Sequence, residues 1–219
     1  MASKEKNPAM IEAAKSFANV PWCEDYEKMI SGMLYNPLAP ELVRGRFRAK
    51  RLVMKYNTYF PDDATPESLL EERNRMLREL LGRVGRDCYI EAPFQVDYGC
   101  NISIGDNFYA NSNVTILDCG LVTIGHRVMF GPNVSIFGAT HETEVQSRRD
   151  NIEYAREVTI GNDCWIGGNT VILPGVTIGK GCTVGAGSVV TRDIPPFSVA
   201  VGSPAKVVRT VRPVPDLEE

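Results

Sequence analysis

Histidine is almost absent from this chain. Two imidazoles in 219 residues, His126 and His141, cannot supply a three-imidazole zinc centre with one open position, so no metal is expected. Cysteine is present, but none of the six stands in a CxxC pair. That excludes a zinc knuckle and points to reduced thiols in a cytoplasmic protein. A strong charge of either sign is also missing, the net value being −3. There is no apolar run of membrane-spanning length and no charged-then-apolar leader pattern. A soluble protein with no membrane partner is the expectation. One basic cluster stands out: Arg44, Arg46, Arg48, Lys50, Arg51 and Lys55. Apolar residues alternate with it, and no aromatic interleaving or nucleic-acid motif accompanies it. It reads as a solvated helix face, and no nucleic-acid partner is expected.

What is present is a period of six. Ile160, Ile166, Ile172, Ile178, Val184 and Val190 stand six apart. Gly161, Gly167, Leu173, Gly179, Gly185 and Thr191 follow them, and Cys164, Thr170, Val176, Cys182, Ser188 and Ile194 lie four along. Six fits neither a helix nor a plain strand. It fits a solenoid of flat faces, with the aliphatic residue stacking inside, a small residue filling the interior near a corner, and glycine supplying the corner's backbone freedom. Three faces make a triangular coil. Such a rod encloses no pocket, so its function must lie on its surface or between subunits.

The signature runs earlier through Ile90, Val96 and Ile102. It slips by two to Ile104, Ala110, Ile116 and Val122, and again to Ile124, Phe130 and Ile136. Each slip suggests a longer corner at the Ile104-Gly105 or Ile124-Gly125 restart. Between Ile136 and Ile160 the pattern vanishes, and residues 139–157 read as a polar excursion loop. Long loops in compact proteins are usually functional or disordered. Upstream, Glu24–Ser31 and Glu41–Asn57 are helix candidates, the second with an apolar stripe of Leu42, Val43, Phe47, Ala49, Val53 and Tyr56. Thr65-Pro66 starts a third helix, whose Leu69, Leu70, Leu77, Leu80 and Leu81 share a face and which Gly82 ends. The expected organisation is a mainly β chain. A helical cap spans 20–82, a hexapeptide β-helix 88–212, and a Pro- and acid-rich tail, expected to be disordered, 213–219.

His126 falls at a repeat corner and reads as a solvated side chain. His141 opens the excursion, where the rod offers no other base, and is the catalytic candidate.

Several stretches resemble the maltose and galactoside O-acetyltransferases. Tyr35-Asn36-Pro37-Leu38-Ala39-Pro40-Glu41-Leu42 and the basic helix after it resemble their N-terminal segment. Asp97-Tyr98-Gly99-Cys100-Asn101-Ile102 and Asn107-Phe108-Tyr109-Ala110-Asn111 resemble their acceptor stretch. Trp165-Ile166-Gly167, the run from Gly185 to Pro196, and Gly202-Ser203-Pro204-Ala205-Lys206-Val207-Val208-Arg209 resemble their coenzyme A stretch and ending. The likeness covers about Tyr26 to Arg209.

That resemblance implies a left-handed parallel β-helix, a homotrimer with active sites between rods, and acetyl-coenzyme A as donor. It implies His141 as general base with Asn111 beside it. Histidine as a residue type titrates near ~6.5 and is mostly neutral in the cytoplasm, as a base must be. Asn36, Asp97, Tyr109, Asn111 and Asp118 match acceptor-side positions. For Asn111 a plain corner role competes, since asparagine tolerates a left-handed backbone. Trp165, Gly168, Ala186, Thr191, Arg192, Lys206 and Arg209 match coenzyme A positions, with a backbone N–H near Gly168 facing the oxyanion. For the three cations, solvated ends of a rod are the competing reading. Asn36 replaces a usual aspartate and Cys119 an acidic contact, which leaves the acceptor open: a sugar such as maltose, glucose or a galactoside, or another small hydroxyl compound. A non-catalytic trimeric scaffold is the reading from another class.

Overall fold

The structure is a computed structural model that describes residues 2–215 and 217. The part of the tail expectation that falls on Asp216, Glu218 and Glu219 lies outside them. Three parallel sheets wall a triangular rod. The first wall stacks 83–84, 102–104, 122–124, 158–160 and 177–178. The second stacks 89–90, 109–110, 129–130, 165–166, 183–184 and 198–201, with 206–210 added antiparallel. The third stacks 94–96, 114–117, 135–137, 171–172 and 189–190. Identical positions stack inside: Ile104, Ile124, Ile160 and Ile178 form one buried column. In the second wall Ala110 precedes Phe130, and Phe108 meets Phe130 edge to ring at 5.1 Å. Small and large residues thus alternate to fill a narrow interior.

Two of the prism's edges differ. Between the second and third walls the chain turns tightly in every coil. Asn113, Asn133 and Asn169 hold φ of 64°, 60° and 58°, and Gly187 holds 73°. That is the left-handed region in which asparagine and glycine are the tolerated residues. Between the third and first walls the corner widens. Val96 pairs with Ile116 and Ile104 with Ile124, so the two extra residues of each slip fall within 97–101 and 117–121. This corrects the placement at the Ile104-Gly105 and Ile124-Gly125 restarts: those glycines sit in the next corner, and the phase shows the insertion only after it has passed. In the third coil the excursion leaves from this same wide edge. It is not a bare loop. Ala139–Thr140 pairs antiparallel with Tyr154–Ala155, and a short helix spans Val145–Arg149. Gly138 donates to Leu117 O and Arg156 to Gly138 O, both at 2.8 Å, and Val158 resumes register with Val122.

Four helices precede the rod: α1 Pro8–Ala14, α2 Glu24–Ile30, α3 Pro40–Thr58 and α4 Pro66–Leu80. The first escaped the sequence reading, although Asn7 caps it and Pro8 opens it, a recognisable start. Thr65 and Ser68 cap α4 reciprocally. Helices α3 and α4 close the first coil: Val53, Tyr56, Met76, Leu77 and Leu80 join the rod's core, and Asn57 bonds both backbone groups of Phe94 at 2.9 Å. Val43, Phe47 and Leu70 are not part of the buried faces expected of them; all three are exposed. A second cluster packs Tyr26, Met29, Tyr35 and Leu42 onto Tyr98, Cys100, Cys119 and Ala155, so the cap also buttresses the wide edge. No helix among the described residues is long and apolar enough to cross a membrane.

Candidate active site

The wide edge, the excursion and the cap enclose a cleft of about 480 Å³. Asp97, Leu117 and Cys119 come from two successive wide corners. Phe137, Ala139, His141 and Glu153 come from the excursion and its root, and Pro37 and Arg46 from the cap. His141 is half exposed. Its Nδ1 lies 3.3 Å from the Ile152 carbonyl. A carbonyl only accepts, so in this bond Nδ1 carries the proton, which in the neutral imidazole leaves the lone pair on Nε2. Glu153 Oε2 stands 3.6 Å from Nε2, and its other oxygen takes the hydroxyl of buried Tyr35. Burial, then the charges of Cys119 and Glu153, push the Tyr35 phenol up, so it remains a donor. A proton arriving on Nε2 would therefore meet an anchored carboxylate.

Asp97 stands in the cleft wall. Burial raises its carboxyl, while the Cys119 thiol, 3.6 Å from Oδ2, and Arg46 pull the other way. Asp118 does not line the cleft. It is fully buried, and its carboxyl accepts from the backbone N–H of Asp97 at 3.0 Å, Tyr98 at 2.9 Å and Asn101 at 3.3 Å. Burial pushes this acid up to about 7. Its expected acceptor contact is thus corrected: it ties two widened corners together, and its neighbour Cys119 faces the cleft. Asn36 sits exposed beside Pro37, its side-chain oxygen taking Leu38 N at 3.0 Å.

Other expected site residues lie elsewhere. Asn111, Gly131, Gly167 and Gly185 are consecutive rungs of the tight edge, which places Asn111, Gly168 and Ala186 on one strip away from the cleft. Tyr109 and Trp165 share the outer face of the second wall; Tyr109 stacks on Tyr89 at 6.1 Å, and Trp165 is 53% exposed. Thr191 and Arg192 are exposed at the wide edge of a later coil, and Lys206 and Arg209 on the last strand. Gly167 N and Asn169 N donate to Val184 and Pro132; among the described residues no backbone acceptor takes the N–H of Gly168 between them. A side chain at Gly168 would press on Pro132, with the nearest atom 3.0 Å away. No group of three or more metal-ligating side chains occurs among the described residues.

The family description "Maltose acetyltransferase hexapeptide capping motif" matches residues 28–85, and "Bacterial transferase hexapeptide (six repeats)" matches 157–192. The galactoside O-acetyltransferase of Escherichia coli K12 is 40% identical over 185 residues, spanning 84% of this chain and 88% of its own. The chain belongs to the maltose/galactoside O-acetyltransferase family. A maltose O-acetyltransferase structure from Clostridium difficile 630 superposes with a TM-score of 0.82 at 41% identity, covering 87% of this chain and 99% of that one. A galactoside acetyltransferase in complex with coenzyme A gives 0.81 at 39% identity, covering 87% and 92%. This acetyltransferase is therefore an enzyme of the hexapeptide-repeat class.

Two charged cleft residues, Arg46 and Glu153, and the buried Tyr35 that anchors Glu153 escaped the sequence reading of the acetyltransferase as site groups. Arg46 was folded into the solvated basic face. Yet it stands four after Leu42 and three before Ala49, both buried, so helical spacing puts it on the inner side. Its guanidinium donates to the Pro37 carbonyl at 2.6 Å and to the Tyr98 hydroxyl, over whose ring it lies at 5.4 Å. Glu153 carried no pattern, because its role depends on a hairpin that brings it back beside His141. His126 is no mere solvated side chain: its Nδ1 accepts Asp106 N at 3.0 Å, which caps a corner.

Proposed function

We propose that the enzyme transfers acetyl from acetyl-coenzyme A to a hydroxyl of a sugar such as maltose, glucose or a galactoside. The observation that carries this is the place of His141: it lies in a cleft bordered by Asp97 and Arg46, with Nδ1 turned to the Ile152 carbonyl and Nε2 left to receive a proton. Nε2 takes the hydroxyl proton as that oxygen attacks the thioester carbon. The C–S bond then breaks, and the proton passes to the departing thiolate. General base action contributes about 10²–10⁴ in rate. Glu153 stabilises the imidazolium that forms. The unused N–H of Gly168 is the donor for the carbonyl oxygen as negative charge grows there. Asn36, Arg46 and Asp97 hold the acceptor. Trp165, Ala186, Thr191, Arg192, Lys206 and Arg209 hold the coenzyme.

In one chain these groups occupy different edges of the rod. The reading therefore includes a homotrimer in which the tight edge of one rod faces the wide edge of the next, with Asn111 and Gly168 reaching a neighbour's cleft. Six unpaired thiols among the described residues favour the cytoplasm. The Cys119–Asp97 contact, at a position where the resemblance implies an acid, favours a different small hydroxyl acceptor as the second reading. A panel of sugars and simple alcohols, followed by thiol release from acetyl-coenzyme A, tests both. Calorimetry with coenzyme A tests the enzyme reading against the scaffold: no saturable binding and no thiol release with any acceptor would end it.

A further inference from the structure

The outer face of α3 goes beyond this chemistry. With about 100° per residue, Leu42, Ala49, Val53 and Tyr56 form its buried arc and Arg46 borders that arc. Next around the helix comes a strip of Val43, Phe47 and Met54, three apolar side chains on one line. Phe47 is 71% and Met54 70% exposed. Beyond the strip lie Arg44, Arg48, Arg51 and Lys55, and Lys50 stands on its other side, between Arg46 and Val43. Across its 19 residues α3 carries six basic residues and one acid, in a chain whose net charge is −3. Glu41 holds Arg44, and Arg48 donates to the Glu79 carbonyl at 2.6 Å. Among the described residues Lys50, Arg51 and Lys55 have no ion-pair partner. Two further apolar residues flank α3 in the chain and are exposed: Leu38 before it at 63% and Phe60 after it at 70%.

We propose that this face docks the enzyme on an anionic lipid surface, with the strip entering the headgroup boundary and the flanking cations meeting the lipid charges. Charge complementarity decides the occupant. A nucleic acid would satisfy the cations but leave the strip in water. A neutral apolar partner would leave three cations without anions. An interfacial helix needs both features on adjoining arcs, as here. The expectation of no membrane partner rested on the lack of a spanning apolar run and of a leader pattern, and it counted Val43 and Phe47 in an apolar stripe that the structure leaves exposed. Arg46 borders both the strip and the cleft, so a docked enzyme presents its cleft close to the lipid surface.

The test uses the whole chain and no substrate, so it stands or falls apart from acetyl transfer. Binding is measured by sedimentation with phosphatidylcholine vesicles and with vesicles that also contain phosphatidylserine. Binding to the serine-containing vesicles is expected to be at least about tenfold tighter, and to weaken with salt. Arg51→Glu with Lys55→Glu, and separately Phe47→Ser with Met54→Ser, should each lower it by about tenfold, leaving thiol release with a soluble sugar unchanged. Equal binding to both vesicle types overturns the proposal. So does a change in solution mass in the Phe47/Met54 variant, which would make the strip an interface between copies. Tighter binding to an RNA oligonucleotide than to the anionic vesicles overturns it as well.

Discussion

The tight and wide edges of the rod are made by the same chain under the same repeat, yet they do opposite things. The tight edge returns an asparagine or glycine in the left-handed region coil after coil, and its outline hardly changes along the rod. The wide edge grows by two residues in each of two coils and then releases an eighteen-odd-residue excursion. Regularity produces a straight strip along which an extended molecule can lie. Irregularity, stacked three coils deep, produces a concave site with an imidazole and two acids, to which the cap adds a guanidinium.

If the wide edge holds the chemistry, His141→Ala should lower turnover by about 10²–10⁴ while coenzyme A binding, read by calorimetry, stays put. Wild-type turnover in that variant would break the comparison at its centre. Glu153→Gln should cost about tenfold in kcat, the worth of a coupling near ~1.4 kcal/mol, and move the pH–rate profile; a loss confined to stability would make Glu153 structural only. The tight edge is probed by Ala186→Leu, an exposed site that tolerates the larger side chain. About fivefold in KM for acetyl-coenzyme A is expected, with the acceptor KM unmoved.

The smallest effect concerns Asp118. Its acid is raised from 3.8 to about 7 by burial, so between those values the folded protein keeps a proton that the unfolded chain releases. Stability from this group is therefore full below about 3.8 and falls as pH rises toward about 7. Asp118→Asn cannot titrate and should flatten that part of the profile. Parallel melting curves for parent and variant across the range would remove the carboxyl from the account.

The rod and the catalytic candidate were legible because both are one-dimensional signals. A period of six is visible in any window, and its interruption marks His141. Helix α3 announced itself by an apolar stripe and α4 by a cap and a stripe, while α2 was only a short candidate. The cleft's remaining walls were not legible in the same way. Cys119 and Asp118 are neighbours, and only the direction of the widened corner decides which turns inward. Glu153 returns to His141 through a hairpin too short to leave a periodic trace. Arg46 was readable by helical spacing but was hidden among five other cations. Asn111 and Gly168 are placed by sequence on a strip of the rod, whereas their distance from the cleft is a property of the prism's cross-section.

The antiparallel closure of Ala139–Thr140 on Tyr154–Ala155 has a consequence for design. Because the excursion's two ends are stapled to each other before the ladder resumes at Val158 on Val122, whatever lies between Thr140 and Tyr154 is invisible to the solenoid. The stretch from Glu142 to Asn151 behaves as a replaceable cassette on a fixed socket: its length and composition can be exchanged without re-registering a single coil, while His141 and Glu153 stay with the socket.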